Sequence, residues 1–219
     1  MPRRLRFEML PALGAIAAAG LFAATAPADL IEIADDPASA TEGLGHFTGT
    51  LDYRLQGGAW ILSVDLTNTS DPSNGGYITG FLFNIDSRDD DAEAELFSAS
   101  HGFFEDAEGE SGQPFGSDYD AGAALNGNWL GGGKPSRGIA VGDTGSFQFE
   151  IEADDASFLT ASSFMNGPYE YDFVVRFRGF EDGGSDKVGG AVVPAPGAAA
   201  LLLAGSGLIV TGRRRRPRD

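Results

Sequence analysis

The chain has 219 residues, a formal charge of −17, 32 glycines, 11 prolines and no cysteine. That length suits one domain with short appendages, and the missing cysteines exclude a disulfide framework, a thiolate metal site and a cysteine nucleophile. With only His46 and His101, most metalloenzyme and acid–base schemes lack their usual groups, and so acidic a chain excludes nucleic acid as a partner.

Met1 to Glu8 carries three arginines, and Met9 to Ala24 is apolar and alanine-rich, long enough for a signal-peptide core and short for a membrane span. The small residues Ala24-Thr25-Ala26-Pro27-Ala28 offer cleavage after Ala26 or Ala28. Proline directly after the cut disfavours the first, so a mature chain starting at Asp29 is expected. Such a segment implies the secretion translocase and signal peptidase as partners. Between Asp29 and Val193 lie seven of the 15 basic residues and 30 of the 32 acidic ones, a net charge of −23.

The stretch between the ends reads as β throughout. Phe47, Leu51, Tyr53 and Leu55 alternate with Thr48, Thr50, Asp52 and Arg54, with Gly49 in the apolar register. After the turn signal Gln56-Gly57-Gly58, Trp60, Leu62, Val64 and Leu66 alternate with Ser63, Asp65 and Thr67. The pair predicts a hairpin with one apolar face. The loop Asp71 to Gly76 leads into a strand over Tyr77 to Ile85, with Phe81, Phe83 and Ile85 facing one way and Leu82 the other. Asp86 to Gly138 reads as a long irregular stretch holding an acidic cluster, a few aromatics and many glycines.

Ile139 and Val141 then precede a Gly142-Asp143 turn, and Phe147, Phe149 and Ile151 alternate with Gln148, Glu150 and Glu152. Asp154 to Met165 has room for one short helix, capped by Asp154 or Asp155. The most regular alternation is Tyr169, Tyr171, Phe173, Val175 and Phe177. Short alternating strands between glycine-rich loops predict an all-β fold, an antiparallel β-sandwich of jelly-roll or immunoglobulin-like type.

The C-terminal end runs Val193-Pro194-Ala195-Pro196, then an uncharged stretch to Gly212, then Arg213, Arg214, Arg215 and Arg216. Val192 to Gly212 is 21 residues without a charge, about 31 Å as a helix, and the part after the prolines, from Gly197, is a thinner span of about 24 Å. The positive-inside rule keeps the arginines cytoplasmic as a membrane-stop cluster and places the acidic body outside. This proline motif, short transmembrane helix and terminal arginine cluster, paired with a signal peptide, resemble the PEP-CTERM sorting signal of Gram-negative bacteria. The family motif is Val-Pro-Glu-Pro; here Ala195 stands at the glutamate position. The resemblance implies a membrane-embedded exosortase that recognises and cuts near the motif, and a protein held by its C-terminal helix, then released to the cell surface or beyond. It implies nothing about chemistry, since proteins sharing the signal differ widely in their bodies. Asn128-Trp129-Leu130-Gly131-Gly132-Gly133, Gly138 to Gly142 with a Phe-x-Phe strand, and Arg176-Phe177 with Gly184 to Lys187 are similar to stretches in other exported proteins with this tail, which implies a sandwich and no assigned activity.

Catalytic motifs are thin. Gly131-Gly132-Gly133-Lys134 lacks the first glycine of a phosphate loop and has Pro135 where Ser or Thr should hold magnesium. Gly205-Ser206-Gly207 lies in the apolar tail, away from any nucleophile elbow. Glycosidase chemistry needs two carboxylates about 5–10 Å apart, a condition that 30 acids meet by chance. Calcium is the cation to weigh, with oxygen ligands from Asp86, Asp89, Asp90 and Asp91, from Asp118 and Asp120 with Asn126 and Asn128, or from Asp182 with Asp186. The competing account is a solvated acidic coat that keeps the protein soluble. Among Trp60, Trp129, Tyr77 and Tyr119, Trp60 lies in an apolar register, and Trp129, in a glycine-rich loop, is the expected exposed platform for a sugar.

The sequence therefore predicts a signal peptide at 1–28, an acidic β-sandwich at 29–190 and a sorting signal at 191–219. No catalytic residue and no cofactor other than calcium is expected. The expected function is a non-catalytic envelope or extracellular-matrix component that meets extracellular polysaccharide. A calcium-assisted carbohydrate-binding or adhesion module is the alternative.

Overall fold

The computed structural model describes residues 29–194; the signal peptide, the rest of the sorting motif from Ala195, the apolar run and the arginine cluster lie outside the described residues. Eleven strands form an antiparallel sheet: β1 (Asp29–Asp35), β2 (Phe47–Gln56), β3 (Ala59–Asn68), β4 (Gly75–Phe83), β5 (Glu93–Ala99), β6 (Phe104–Asp106), β7 (Ala121–Leu125), β8 (Ile139–Ala140), β9 (Thr144–Glu152), β10 (Phe173–Phe180) and β11 (Ser185–Val192). Their order is β5-β9-β3-β2-β1-β11-β10-β4-β7-β6, with β8 also on β4.

The sheet folds over at β1 and β11, which share only a short register from Ile33 opposite Val192 to Asp35 opposite Gly190. Five strands of that order lie on each side of the seam, the short β8 adding to the β4 side, and their apolar faces meet. Phe81 of β4 packs edge-on against Phe147 of β9 at 4.8 Å, Phe83 against Phe149 at 5.1 Å, and Phe47 of β2 lies 6.3 Å from Phe173 of β10. Leu51, Leu62, Val64, Val175 and Phe177 fill in between, all buried.

The expected hairpin is β2 and β3, in register from Phe47 opposite Asn68 to Gln56 opposite Ala59. Gly57 and Gly58 take φ of 65° and 102°, the two left-handed positions that a tight hairpin turn of this hand demands. Gly49 sits in the apolar register because a Cβ there would lie 2.4 Å from the Asp65 carbonyl oxygen. In β4, Phe81 and Phe83 face the main core and Leu82 faces a second cluster on the opposite side, as their alternation requires.

The stretch 86–138 is irregular only in part: it supplies β5, β6 and β7 between its loops. In β7, Ala-Gly-Ala-Ala-Leu is buried throughout, so no alternation marks it. β1 and β11 were also not legible as strands, the latter because Gly189 and Gly190 break its pattern. β10 starts at Phe173, later than the Tyr169 alternation suggests, because Asp172 turns back to accept the Tyr169 N–H at 3.2 Å and the Asn84 amide at 2.8 Å. The expected helix at 154–165 is two 3₁₀ turns, Ala156–Phe158 and Ala161–Phe164. Thr160 and Ser163 cap the second reciprocally; Asp155 precedes the first without capping it. The boundary expected at 190 falls inside β11, and Val193 still donates its N–H to the Glu32 carbonyl at 2.8 Å.

Candidate functional site

The two outer faces of the folded sheet differ. Over β4, β7 and β10 lies a roof formed by the segment from Ala107 to Gly133. Tyr119 and Trp129 descend from it onto Leu82, Ala124 and Val174 in the second apolar cluster. Trp129 is 1% exposed, which corrects its expected role as an exposed sugar platform: Gly80, lacking a side chain, leaves room for the indole against the sheet. Tyr119 is fully buried and donates its hydroxyl to the Tyr171 carbonyl at 2.6 Å. Of the other two aromatics, Trp60 is half-buried and stacks on Tyr53 at 5.2 Å, and Tyr77 is buried in part.

The same roof joins two of the stretches singled out in the sequence. Arg176, buried in β10, donates from Nη1 to the Trp129 carbonyl, and Arg178 donates from Nη1 to the Gly131 and Gly132 carbonyls, each at 3.1 Å. Burial, with Arg178 adding repulsion, lowers the Arg176 guanidinium to about 10. The Asn-Trp-Leu-Gly-Gly-Gly stretch and the Arg-Phe stretch are thus two halves of one structural latch.

The acidic clusters do not converge. Asp89 accepts the Asp91 N–H at 3.1 Å and the Asp154 N–H at 2.8 Å, while Asp86, Asp90 and Asp91 are exposed beside it. Asp155 returns the contact, accepting the Ser87 hydroxyl at 2.5 Å and the Arg88 N–H at 3.0 Å, so this acidic loop is latched to the end of β9. Asp120 accepts the Ile85 N–H at 2.7 Å; Asp118 is exposed, and its backbone N–H goes to the Tyr169 hydroxyl at 3.2 Å. Asn128 folds onto the Gly131 N–H at 2.6 Å within its own turn, away from any shared cation site with those aspartates. Asp182 closes a turn on the Gly184 N–H at 2.7 Å.

Asp186 is separate from all of these and 1% exposed. Its two oxygens accept the Thr41 hydroxyl and the N–H groups of Glu42, Leu44 and Gly45 at 2.8–2.9 Å. Burial pushes its pKa up, and the hydrogen bonds outweigh that and hold it below the ordinary value. Among the described residues, no three of His, Asp and Glu are placed to hold a metal ion. Of the carboxylates weighed as calcium ligands, Asp89, Asp120, Asp182 and Asp186 accept backbone N–H groups.

The outer face of β1, β2, β3, β9 and β5 carries no roof. Its outward residues line up across the strands in rows: Leu30, Asp52, Ser63, Gln148 and Ser98, then Glu32, Thr50, Asp65 and Ser146, then Thr48, Thr67 and Thr144. The middle of the face is made of short hydroxyl side chains, so the surface dips there. One depression of about 370 Å³ lies on the first two rows and another of about 430 Å³ on the second and third, meeting at Thr50 and Asp65. Within this trough Gln148 donates to Ser63 at 3.5 Å, and Thr67 and Thr144 share a hydroxyl hydrogen bond at 2.7 Å. Arg54 lies 3.4 Å from Asp52, whose other oxygen, Oδ1, is buried without a partner. The arrangement offers donors and acceptors for a polar ligand, and at its margin Ser100, which lines the first depression, shares a hydrogen bond with His101 Nδ1 at 3.1 Å. Sequence reasoning did not find it. The polar half of each alternation was visible, but only the pairing of β2, β3 and β9 brings those halves side by side.

No protein-family model matches this chain, and no curated protein matches it in sequence. Among solved structures, the chain is similar to a biomass-sensing module of Clostridium thermocellum described as resembling a family 3 carbohydrate-binding module of the cellulosome. The identity is 10%, the match covers 68% of this chain and 90% of that one, and the TM-score is 0.27, too loose a likeness to bear on fold or function.

Proposed function

We propose that this is an exported, non-catalytic envelope or extracellular-matrix protein, delivered by its N-terminal signal and held at the membrane by its C-terminal sorting signal until an exosortase-type protease releases it. In this reading the body is a sandwich of jelly-roll or immunoglobulin-like type whose acidic surface keeps neighbouring copies apart in a crowded layer. One observation supports it most directly. Strands β1 and β11 lie side by side, and the last ladder bond of β11 runs from Val193, the first residue of the proline motif, to Glu32 of the strand that begins at Asp29. Pro194 has no N–H to extend that ladder. The residue expected after signal cleavage and the residue opening the sorting motif therefore lie on neighbouring paired strands, Asp29 three residues before the Glu32 that Val193 meets.

The test is fractionation of a Gram-negative host with exosortase activity producing the full chain, followed by mass spectrometry of the protein's ends. The expected result is surface or medium location, a new N-terminus at Asp29 and loss of the residues from Gly197 onward. A chain recovered from the cytoplasm with Met1 in place overturns the proposal.

A further inference from the structure

We propose that the trough across β2, β3 and β9 binds an uncharged polysaccharide chain laid across the strands. The inference deepens the matrix reading by naming a ligand class for the body, and rests on it only in supposing that the body meets polysaccharide outside the cell. Of the two outer faces, one is sealed by Tyr119 and Trp129 and their loop, and the other is open and concave. The lining decides the occupant. A lipid or apolar protein partner needs a contiguous apolar face, and the exposed large apolar side chains here are Leu30, 58% exposed beside the first depression, and Val193, 38% exposed beside the second, while Phe147 and Ile33 are buried. An anionic polymer meets Glu32, Asp52 and Asp65 against a single Arg54, already beside Asp52. A divalent cation finds no three carboxylates together among the described residues. An added peptide strand needs an open sheet edge, and this is a sheet face.

A lining made mainly of hydroxyls and one amide suits a ligand rich in hydroxyls and without charge. Thr50, Ser63, Ser146 and Ser98 both donate and accept, Gln148 presents an amide, and Asp65 accepts. Adjacent strands place these groups about 4.8 Å apart, on the scale of successive sugar rings along an extended glycan. Asp52, which lines the first depression, buries Oδ1 without a partner and turns its other oxygen toward Arg54. Val193 borders the second depression, so the bound chain lies beside the point where the body meets its sorting signal.

The test is affinity electrophoresis of the full chain, in a zwitterionic detergent, through native gels containing hydroxyethylcellulose, mixed-linkage β-glucan, galactomannan or alginate. Retardation is expected in at least one of the three neutral polymers and not in alginate. Ser63→Trp fills the trough and is expected to abolish it, and Gln148→Ala to weaken it about three- to tenfold, the loss of one hydrogen bond. Thermal melting of both variants checks that they fold, and Gln148→Ala carries the test if Ser63→Trp does not. No retardation in any neutral polymer, undiminished retardation in the folded variants, or stronger retardation in alginate overturns the trough proposal. Retardation that depends on the trough, in a protein found to stay in the cytoplasm, sinks the matrix reading and leaves the binding face standing.

Discussion

At the scale of single residues, two aspartates respond to pH in opposite directions. Asp186 is held below its ordinary pKa by the loop from Thr41 to Gly45, so its contribution is fully present above the unfolded value and is lost as pH falls through the depressed one. Asp186→Asn puts an amide where four donors converge. It is expected to cost about 2–3 kcal/mol at neutral pH, measured by urea denaturation, and less as pH falls through the depressed value, where the wild-type carboxylate is itself protonated. Asp106, at the end of β6, accepts the Leu96 N–H at 3.4 Å with one oxygen and buries the other unpartnered. Burial raises it to about 6 from 3.8, the Leu96 hydrogen bond opposing and the Glu108 charge reinforcing. Its folded form binds a proton more tightly than its unfolded form, so the stability it adds is complete below the unfolded value and fades as pH rises through about 6. Asp106→Asn is expected to gain melting temperature relative to wild type between pH 5 and pH 7.5. A difference that stays flat across that window contradicts the assignment. Comparing variant with wild type removes the general relief of self-repulsion that acid brings to so acidic a body.

At the scale of elements, the β2–β3 hairpin shows how a gap in a pattern can be part of it. Gly49 interrupts the apolar alternation, yet the position faces the core, where Ile33, Leu66 and the Asp65 carbonyl leave no room for a side chain. Gly49→Ala forces a Cβ into 2.4 Å contact with backbone that cannot swing away. The expected cost is about 1–3 kcal/mol in the denaturation midpoint, the range of overpacked cores. Strands with one buried and one open face, β2, β3 and β9, were legible residue by residue because burial alternates along them. β7 was not, because it is buried on both faces by a roof drawn from its own flanking loops. The acidic residues of 86–91 looked like a surface coat or a cation loop. In the fold the segment is pinned by backbone N–H groups to Asp89 and by Asp155, a pairing of positions more than sixty residues apart.

At the scale of the whole molecule, the two five-strand layers depend on each other through the core they share and the narrow β1–β11 seam. The chain's two tryptophans divide between them: Trp60 lies in β3, and Trp129 over β4. Variants with a single tryptophan, Trp129→Phe and Trp60→Phe, therefore report the two layers separately. Coincident urea transitions by fluorescence are expected, since each layer buries its main apolar face against the other. Midpoints that separate show that the layers unfold independently and that the seam is not what joins them.

The sequence by itself determined the β class, the hairpin and its turn, the side to which each phenylalanine of β4 points, and the concentration of acid between two basic ends. These are local: period-two burial, the left-handed freedom of glycine and the count of charges are all written in neighbouring residues. Only the tertiary structure decided what the polar residues do. Trp129 is core because the roof folds onto Gly80, Asp186 is a cradle because a loop more than 140 residues earlier closes on it, and Ser63, Gln148 and Thr50 form one trough because three strands align in register. A site of this kind depends on which strand lies beside which, and strand order is set by the packing of the whole sheet.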